Sequence, residues 1–461
     1  MEPLGSAAPT LETKASAFVK EHRLPGAAVG VVHRDRLAWW AGVGSADPPS
    51  RRPPETSTLY RVASITKTFT GTAIMQLRDE GELHLDDPAV AHLPELRSMS
   101  SPFAAIETVT IRRLLSHESG LQSEVPGADW SIPVLEGRAE RTLARADEMT
   151  TAVPVNTQQK YSNLAYQLLG EIVARRSGVS YARYVRDRIL DPLGMHGSGF
   201  EPLPDELRAR CATGYAARFL SDELSLASTP PTVWAEGGLW SSVKDLARWL
   251  SFQFRKDGGA REGAQILAGD TLKEMHAARY LGDEAWTEAW CISWYAVRKG
   301  EVIWVQHSGG IHGFITNICF DPKERVGAIV LLNGSAPASD LSMELATIAR
   351  DAVRESAPSI EPPAPMPSAY ADLLGLYLDA EQAMVVRVEW RDGDLAVVDP
   401  DEDSWRPTLA PTDEANTFVV APGVRESGER VVFRRLADGR VASVFMGSAT
   451  LARLAPVEGP T

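Results

Sequence analysis

One stretch of the sequence constrains the fold more than any other: a serine and a lysine three positions apart, at the start of an uncharged run. Ser64 and Lys67 are followed by the segment 69–77, which carries no charged side chain. In a helix, residues at positions i and i+3 share one face, so the hydroxyl and the amine would meet there. We therefore predict a helix that lies inside the fold and holds a serine beside an enclosed lysine.

A serine–lysine pair of this kind is suited to nucleophilic catalysis. The hydroxyl is a weak nucleophile until a base removes its proton, and a lysine serves as that base when burial or a nearby cation favours the neutral amine. The spacing alone is a weak signal, because a serine-rich chain of this length often shows it by chance. Two later stretches, 161–163 and 307–310, add weight, since three such pieces rarely occur together in this order.

Size and charge narrow the class of protein. The chain has 461 residues, of which 44% are hydrophobic and 23% charged, and this predicts a globular protein of two or three domains. The net charge of −14 argues against nucleic acid as a partner, because phosphate binding needs a basic surface.

The apolar segments are short and the cysteines are few. The first 25 residues contain no apolar core of the kind found in secretory signals, and the longest apolar stretch, 326–332, is too short to span a bilayer. Cys211, Cys291 and Cys319 are odd in number and far apart, as expected of reduced thiols that serve core packing. We expect a cytoplasmic protein without a membrane partner.

The pattern of segments predicts an α+β fold. Strand-like runs at 25–33 and 37–42 form a hairpin, and four later runs resemble an antiparallel meander that closes the same sheet. Between 106 and 178 the apolar residues recur at helical spacing. We expect an antiparallel sheet flanked by helices, with an all-helical subdomain. The later runs and the final helix cover 290–297, 302–307, 314–320, 327–332 and 341–353.

The composition changes at 357–368, where five prolines fall within twelve residues. This predicts a stiff linker. Beyond it, short strands alternate with Asp-Gly turns and no segment has a helical period, so we predict a small antiparallel β-barrel or sandwich. The predicted domains are therefore 1–356 for the catalytic part and 369–461 for the barrel, on either side of the linker.

Taken together, these motifs resemble those of a known family. Ser64-Ile-Thr-Lys67, Tyr161-Ser-Asn163 and His307-Ser-Gly309 are similar to the three active-site motifs of the serine β-lactamase and penicillin-binding protein superfamily, above all its class C and D,D-peptidase-like branch. The likeness runs from about residue 12 to residue 355. The C-terminal segment resembles the lipocalin-like barrel that follows the catalytic domain in some of its peptidases and esterases.

The resemblance implies a role for each motif residue. Ser64 would be the nucleophile that carries the acyl group, and its N–H together with that of Gly310 would bind the oxyanion. Lys67 and Tyr161 would share the general-base and general-acid steps, and a single sequence does not divide these steps between them. The remaining motif residues would contact Lys67 or the substrate: Asn163, His307, Ser308 and Gly309.

Each motif residue also has a simpler interpretation. Tyr161 is compatible with a core tyrosine, Asn163 with a helix N-cap, and His307 with a buried strand histidine. Gly309 and Gly310 suit a turn. None of these interpretations explains the ordered set of motifs.

The sequence supports neither a metal nor a cofactor. His307 and His312 are five residues apart, but no H-E-x-x-H pattern or carboxylate cluster accompanies them. No G-x-S-x-G elbow and no glycine-rich nucleotide loop occurs, which argues against an α/β-hydrolase and against a nucleotide cofactor. We expect a reaction that needs no cofactor.

Two departures from the family pattern bear on the substrate. His307 stands where β-lactamases usually carry a lysine, a substitution typical of the peptidase and esterase members, so efficient antibiotic hydrolysis is not expected. Glu118 and Glu236 occupy loops beside the expected site. Glu236 would either bind a substrate amine or be solvated.

The function that fits these features is a serine hydrolase or acyltransferase that works through an acyl-Ser64 intermediate on a small ester, amide or peptide. It would be of the esterase or the D-aminopeptidase and peptidase type. One alternative is a penicillin-binding-protein-type thioesterase that releases and macrocyclises nonribosomal peptides from carrier-protein thioesters. Another is a non-catalytic binding or scaffold protein that retains the fold. The sequence does not identify the acyl acceptor or the oligomeric state.

Overall fold

The computed structural model describes residues 4–124, 142–215, 235–257, 264–356, 365–380, 384–400 and 406–455 of the chain. Contacts between residues divide the chain into two compact units, Met1–Ser356 and Ala357–Thr461. Residues 357–364 of the predicted linker lie outside the described residues, so the linker stays a prediction.

An antiparallel sheet of eight strands forms the centre of the first unit. The strands of this unit are β1 (Gly26–His33), β2 (Arg36–Gly44), β3 (Tyr60–Arg61), β4 (Trp240–Ser241), β5 (Tyr280–Leu281), β6 (Glu288–Trp290), β7 (Tyr295–Lys299), β8 (Val302–Ile311), β9 (Phe314–Asp321) and β10 (Val326–Leu332). The sheet has the order β2-β1-β10-β9-β8-β7-β6-β5, and β3 pairs with β4 separately. The N-terminal hairpin therefore joins the later meander through β1 and β10, which confirms the predicted antiparallel sheet.

Helices cover both faces of this sheet. They are α1 (Ala8–Glu21), α2 (Thr66–Asp79), α3 (Ala89–His92), α4 (Ile111–Leu115), α5 (Asn163–Ser177), α6 (Tyr181–Val185), α7 (Asp205–Arg208), α8 (Val243–Gln253), α9 (Gly269–His276) and α10 (Ala338–Ser356). Every residue of β1 is buried, because alternate side chains enter two different cores. Ala28 and Val32 join the core with α2 and α8, whereas Val29 and Val31 join the core with α1 and α10.

The helix predicted to lie inside the fold is buried as expected. In α2 every residue from Thr66 to Leu77 is buried. Phe69 stacks on Trp249 of α8 with ring centroids 3.9 Å apart. A Cβ added at Gly71 would lie 2.0 Å from the Oγ of Ser293, so a glycine is required where α2 meets this segment.

One predicted strand is interrupted. The run 290–297 reads as continuous in the sequence, but the structure has β6 and β7 separated by a tight turn at 291–294. Ser293 has a φ of 61°, outside the extended region, and the N–H of Cys291 bonds to the carbonyl of Trp294. The turn brings Ser293 against α2, which is the contact that excludes a side chain at Gly71.

The second unit is a closed barrel, as predicted. Its eight antiparallel strands follow one another in sequence around the barrel. They are β11 (Gly375–Asp379), β12 (Met384–Arg391), β13 (Asp394–Val398), β14 (Thr408–Pro411), β15 (Thr417–Val420), β16 (Arg430–Arg435), β17 (Val441–Met446) and β18 (Ala449–Ala455). Side chains such as Tyr377, Phe418 and Phe433 fill its apolar interior.

The three cysteines form no disulfide, in agreement with the expectation of free thiols. Burial raises the pKa of each thiol to about 12. Across the described part of the chain, no helix combines the length and apolar character needed to cross a bilayer.

Candidate active site

The predicted serine–lysine pair is formed. A single helical turn at Ala63–Ile65 precedes α2, and Ala63 has a φ of 46°, a conformation that non-glycine residues rarely adopt. Ser64 is half-buried, whereas Lys67 is fully buried. The Nζ of Lys67 lies 3.1 Å from the Oγ of Ser64, within hydrogen-bonding distance.

Lys67 has two further hydrogen-bond partners, and these determine how it can act. Its Nζ lies 2.7 Å from the Oδ1 of Asn163 and 2.7 Å from the main-chain carbonyl of Glu236. Both oxygens can only accept, whereas the Ser64 hydroxyl can accept or donate. An ammonium therefore donates to all three. A neutral amine has two hydrogens, which it donates to Asn163 and to the Glu236 carbonyl, so its lone pair faces the Ser64 hydroxyl.

The orientation of the Asn163 amide is fixed from its other side. Its Nδ2 donates a hydrogen bond to the Oε1 of Glu124, which can only accept when ionised. The carboxylate thus directs the amide oxygen of Asn163 towards Lys67. The simpler interpretation of Asn163 as an N-cap is wrong, because the Oγ of Ser162 caps α5 by accepting from the N–H of Ala165.

Tyr161 lies beside the Nζ of Lys67. The Nζ of Lys67 is 5.0 Å from the centroid of the Tyr161 ring, and the tyrosine is half-buried. Among the described residues no hydrogen bond to the Tyr161 hydroxyl is found. The structure therefore brings the phenol ring to Lys67, and the proton-transfer role stays a prediction. Tyr161 also contacts His117 and Trp290, with ring centroids 4.3 Å and 5.9 Å away.

The third motif lies on β8, which packs against the turn that carries Ser64. A Cβ added at Gly309 would lie only 2.1 Å from the carbonyl oxygen of Val62, so the strand approaches this turn through its main chain. The Oγ1 of Thr316 reinforces the contact by donating to the same carbonyl, 3.1 Å away. Ser308 and Gly310, the residues on either side, are exposed. The oxyanion role of the Gly310 N–H stays a prediction.

His307 is buried and neutral. Its Nδ1 lies 2.7 Å from the carbonyl oxygen of Ser308, which can only accept, so Nδ1 carries the proton. Burial, reinforced by repulsion from the Lys67 ammonium, lowers the pKa of His307 to about 3. His312 is exposed. The described residues contain no cluster of three or more His, Cys, Asp or Glu side chains that could hold a metal ion.

Two glutamates differ from the sequence-based expectation. Glu236 is only 1% exposed, so the solvated interpretation is wrong. The Nε2 of Gln167 donates to its carboxylate at 2.7 Å, while its main-chain carbonyl reaches Lys67. Glu236 therefore contributes its main chain to the site, and its enclosed carboxylate gives no support to a role in binding a substrate amine. Glu118 is also buried and accepts a hydrogen bond from Ser116.

Glu124 and His117 also reach the site, although the sequence motifs predict no role for them. Both belong to the segment 116–124, which lies against 160–164 through main-chain hydrogen bonds that include Asn163 N–H to the Ser123 carbonyl, 2.8 Å. Only the folded chain shows that this segment brings His117 to Tyr161 and Glu124 to Asn163.

Comparisons with known proteins identify the family and the fold. A family model described as Beta-lactamase matches residues 11–352. Beta-lactamase-like protein 2 of Dictyostelium discoideum is 29% identical over 322 residues, which are 68% of this chain and 56% of that protein. The chain thus spans little more than half the length of that relative.

Two solved structures share the fold. The octameric penicillin-binding protein homologue from Pyrococcus abyssi matches with 25% identity and a TM-score of 0.63, over 96% of this chain and 99% of that chain. A class C beta-lactamase matches with 21% identity and a TM-score of 0.62, over 77% and 98% of the two chains. Since the family model covers most of the sequence, including all three motifs, the chain belongs to the Beta-lactamase family.

Proposed function

We propose that this protein is a serine hydrolase or acyltransferase that forms an acyl-Ser64 intermediate with small esters, amides or peptides. The observation that carries the proposal is the hydrogen-bond set of Lys67. The amine of Lys67 donates to two oxygens that can only accept, the Oδ1 of Asn163 and the carbonyl of Glu236. The lone pair of the neutral amine is therefore directed at the Ser64 hydroxyl. A general base in this position is typically worth about 10²–10⁴ in rate.

The reaction begins when the Ser64 hydroxyl loses its proton to the neutral amine of Lys67, and its Oγ attacks the substrate carbonyl. The N–H groups of Ser64 and Gly310 then stabilise the oxyanion. The leaving group departs with a proton delivered through Tyr161, which leaves the acyl group on Ser64. Water or an amine attacks this ester in the second half, and the same groups carry the proton in the opposite direction.

The neutral state of His307 favours substrates without a carboxylate at this position. A lysine there would place a second cation beside the substrate, whereas the imidazole supplies none at neutral pH. We therefore expect neutral esters and amides to react faster than β-lactam antibiotics, which carry a carboxylate. The comparison of p-nitrophenyl esters with a chromogenic cephalosporin tests this preference, and faster cephalosporin hydrolysis would contradict it.

A fluorophosphonate probe with intact-mass analysis tests the acyl-enzyme proposal directly. We expect one adduct on the wild type and none on Ser64→Ala, because Ser64 is the hydroxyl that contacts the Nζ of Lys67. Ser98→Ala serves as the matched control and should be labelled like the wild type, since its hydroxyl bonds to the carbonyl of Glu95 in an exposed turn. An adduct retained in Ser64→Ala, or no adduct on the wild type, would favour the non-catalytic scaffold.

The acyl acceptor needs a separate experiment. A panel of p-nitrophenyl esters, D- and L-aminoacyl amides and peptidyl thioesters, each with and without an added amine, distinguishes hydrolysis from acyl transfer. Release of a cyclic product from a peptidyl thioester would identify the macrocyclising alternative. Hydrolysis of the esters or amides alone would support the simpler hydrolase.

A further inference from the structure

The ring of His117 lies against the tyrosine that the proposed mechanism uses for proton transfer. His117 is fully buried. Its ring centroid is 4.3 Å from that of Tyr161, with the planes 31° apart, and 4.8 Å from that of Trp290 in an edge-on contact. The imidazole thus covers one side of the phenol ring, while Lys67 lies over the ring at 5.0 Å.

His117 also holds the main chain on both sides of Tyr161. The N–H of Lys160 donates to the carbonyl oxygen of His117 at 2.8 Å. The N–H of Ser162 donates to the Nδ1 of His117 at 3.1 Å. One residue therefore fixes the neighbours that precede and follow Tyr161, and a third contact, that of the tilted imidazole ring, fixes the side chain between them.

These contacts require a neutral imidazole of one tautomer. Because Nδ1 accepts from the Ser162 N–H, the proton of the neutral ring is on Nε2. Protonation would place a second N–H at Nδ1, directly facing that of Ser162, and would break the hydrogen bond. In agreement with this geometry, burial lowers the pKa of His117 well below its usual value, and the positive charge of Lys67 lowers it further.

The main chain at His117 is unusual as well. Its φ of 60° lies in the left-handed region, which asparagine tolerates much better than most residues. A strained conformation of this kind persists only where the surrounding structure enforces it, and such residues cluster near functional sites. An ordinary core residue would not need this combination of main-chain conformation, acceptor atom and flat ring.

We propose that His117 is a positioning residue that holds the Tyr161 phenol beside Lys67 for proton transfer to the leaving group. This inference rests on the proposed function, and His117 itself contacts neither the substrate nor the reacting atoms. Loss of the imidazole should therefore resemble loss of the Tyr161 hydroxyl. The effect should be large for substrates with a poor leaving group, which need a proton, and small for those with a good one.

The test compares ethyl and p-nitrophenyl esters of the same acid in His117→Ala, Tyr161→Phe and the double variant. We expect His117→Ala to lower kcat for the ethyl ester by about tenfold or more, with little change for the p-nitrophenyl ester. The double variant should lose no more than Tyr161→Phe alone, because both changes remove one function. His117→Asn should recover most of the rate, since its Oδ1 can accept from Ser162 and its main chain suits a positive φ.

Equal losses for both esters, or additive losses in the double variant, would overturn the inference while leaving the proposed function intact. If the wild type shows no acylation at all, the proposed function fails, and hydrogen exchange of the Ser162 amide then decides the positioning role. That amide should be protected in the wild type and in His117→Asn but exchange rapidly in His117→Ala. Equal exchange in all three, or a protected amide in His117→Ala, would show that His117 does not hold this segment.

Discussion

The two units of this protein are each built on eight antiparallel strands, but they bury different kinds of side chain. The open sheet of the first unit lies beside an interior that holds a lysine, two histidines and a glutamate around one serine. The interior of the closed barrel is apolar, and its buried polar side chains among the described residues are Asp379 and Thr417. Since buried ionisable groups destabilise a fold unless they are compensated, their concentration around Ser64 supports the proposal that the first unit carries the active site.

The strongest test of this contrast replaces the buried cation without changing its volume. Lys67→Met should slow acylation of Ser64 by about 10²–10⁴-fold, because the general base is lost. The variant should remain folded, since methionine fills a similar space. Labelling rates with the fluorophosphonate probe and thermal unfolding measure the two effects. A folded variant that labels at the wild-type rate would contradict the assignment of Lys67 as base.

The corresponding change in the barrel should affect stability alone. Phe433 is 2% exposed and meets Tyr377 and Phe418 edge-on, so Phe433→Ala should cost about 3–5 kcal/mol of unfolding free energy in the barrel. Leu436→Ala, at a half-exposed position, serves as control and should change stability by less than about 0.5 kcal/mol. Denaturant unfolding measures the loss. Slower labelling of Ser64 in folded Phe433→Ala would show that the barrel contributes to the site.

A smaller effect is expected where β8 meets the turn before Ser64. Gly309→Ala places a methyl group against the main-chain carbonyl of Val62, which cannot move aside, and should cost about 1–3 kcal/mol. Gly310→Ala is the matched control for stability, because its methyl group would lie 3.3 Å from the flexible end of Ile315. Thermal unfolding of the two variants separates them. Similar stability for both would show that the close approach is not required.

The smallest expected effect, for each unit of pH, is a loss of stability through histidine protonation, which only the first unit should show. Burial lowers the pKa of His276 and His307 to about 3, and the unfolded chain binds protons at these groups below about pH 6.5. Stability is therefore complete above that pH and falls as the pH decreases, by up to about 1.4 kcal/mol per unit for each histidine. All nine histidines precede residue 357, so the barrel should lack this loss. Urea unfolding of each unit at several pH values tests the difference.

The sequence predicted the parts of the site that depend on local spacing. The pairing of Ser64 with Lys67 follows from one helical turn. The strand-like run 302–307 lies within β8, as its composition predicts. The roles of Glu124 and His117 could not be predicted this way, because they arise where two distant loops meet. The turn at Ser293 was missed because nothing in its local sequence distinguishes a positive φ from an extended conformation.

The direct contact between Val62 and Gly309 has a consequence for how substrate range can change in this protein. At Gly309 no side chain separates β8 from the turn that carries Ser64, so the distance between them is set by the dimensions of the peptide backbone. We expect substitutions of the surrounding hydrophobic residues to leave the distance between Val62 and Gly309 unaltered. Under the proposed function, substitutions that change the substrate range would lie farther out, at positions such as Ser308, and would leave the geometry at the reacting carbonyl unaltered.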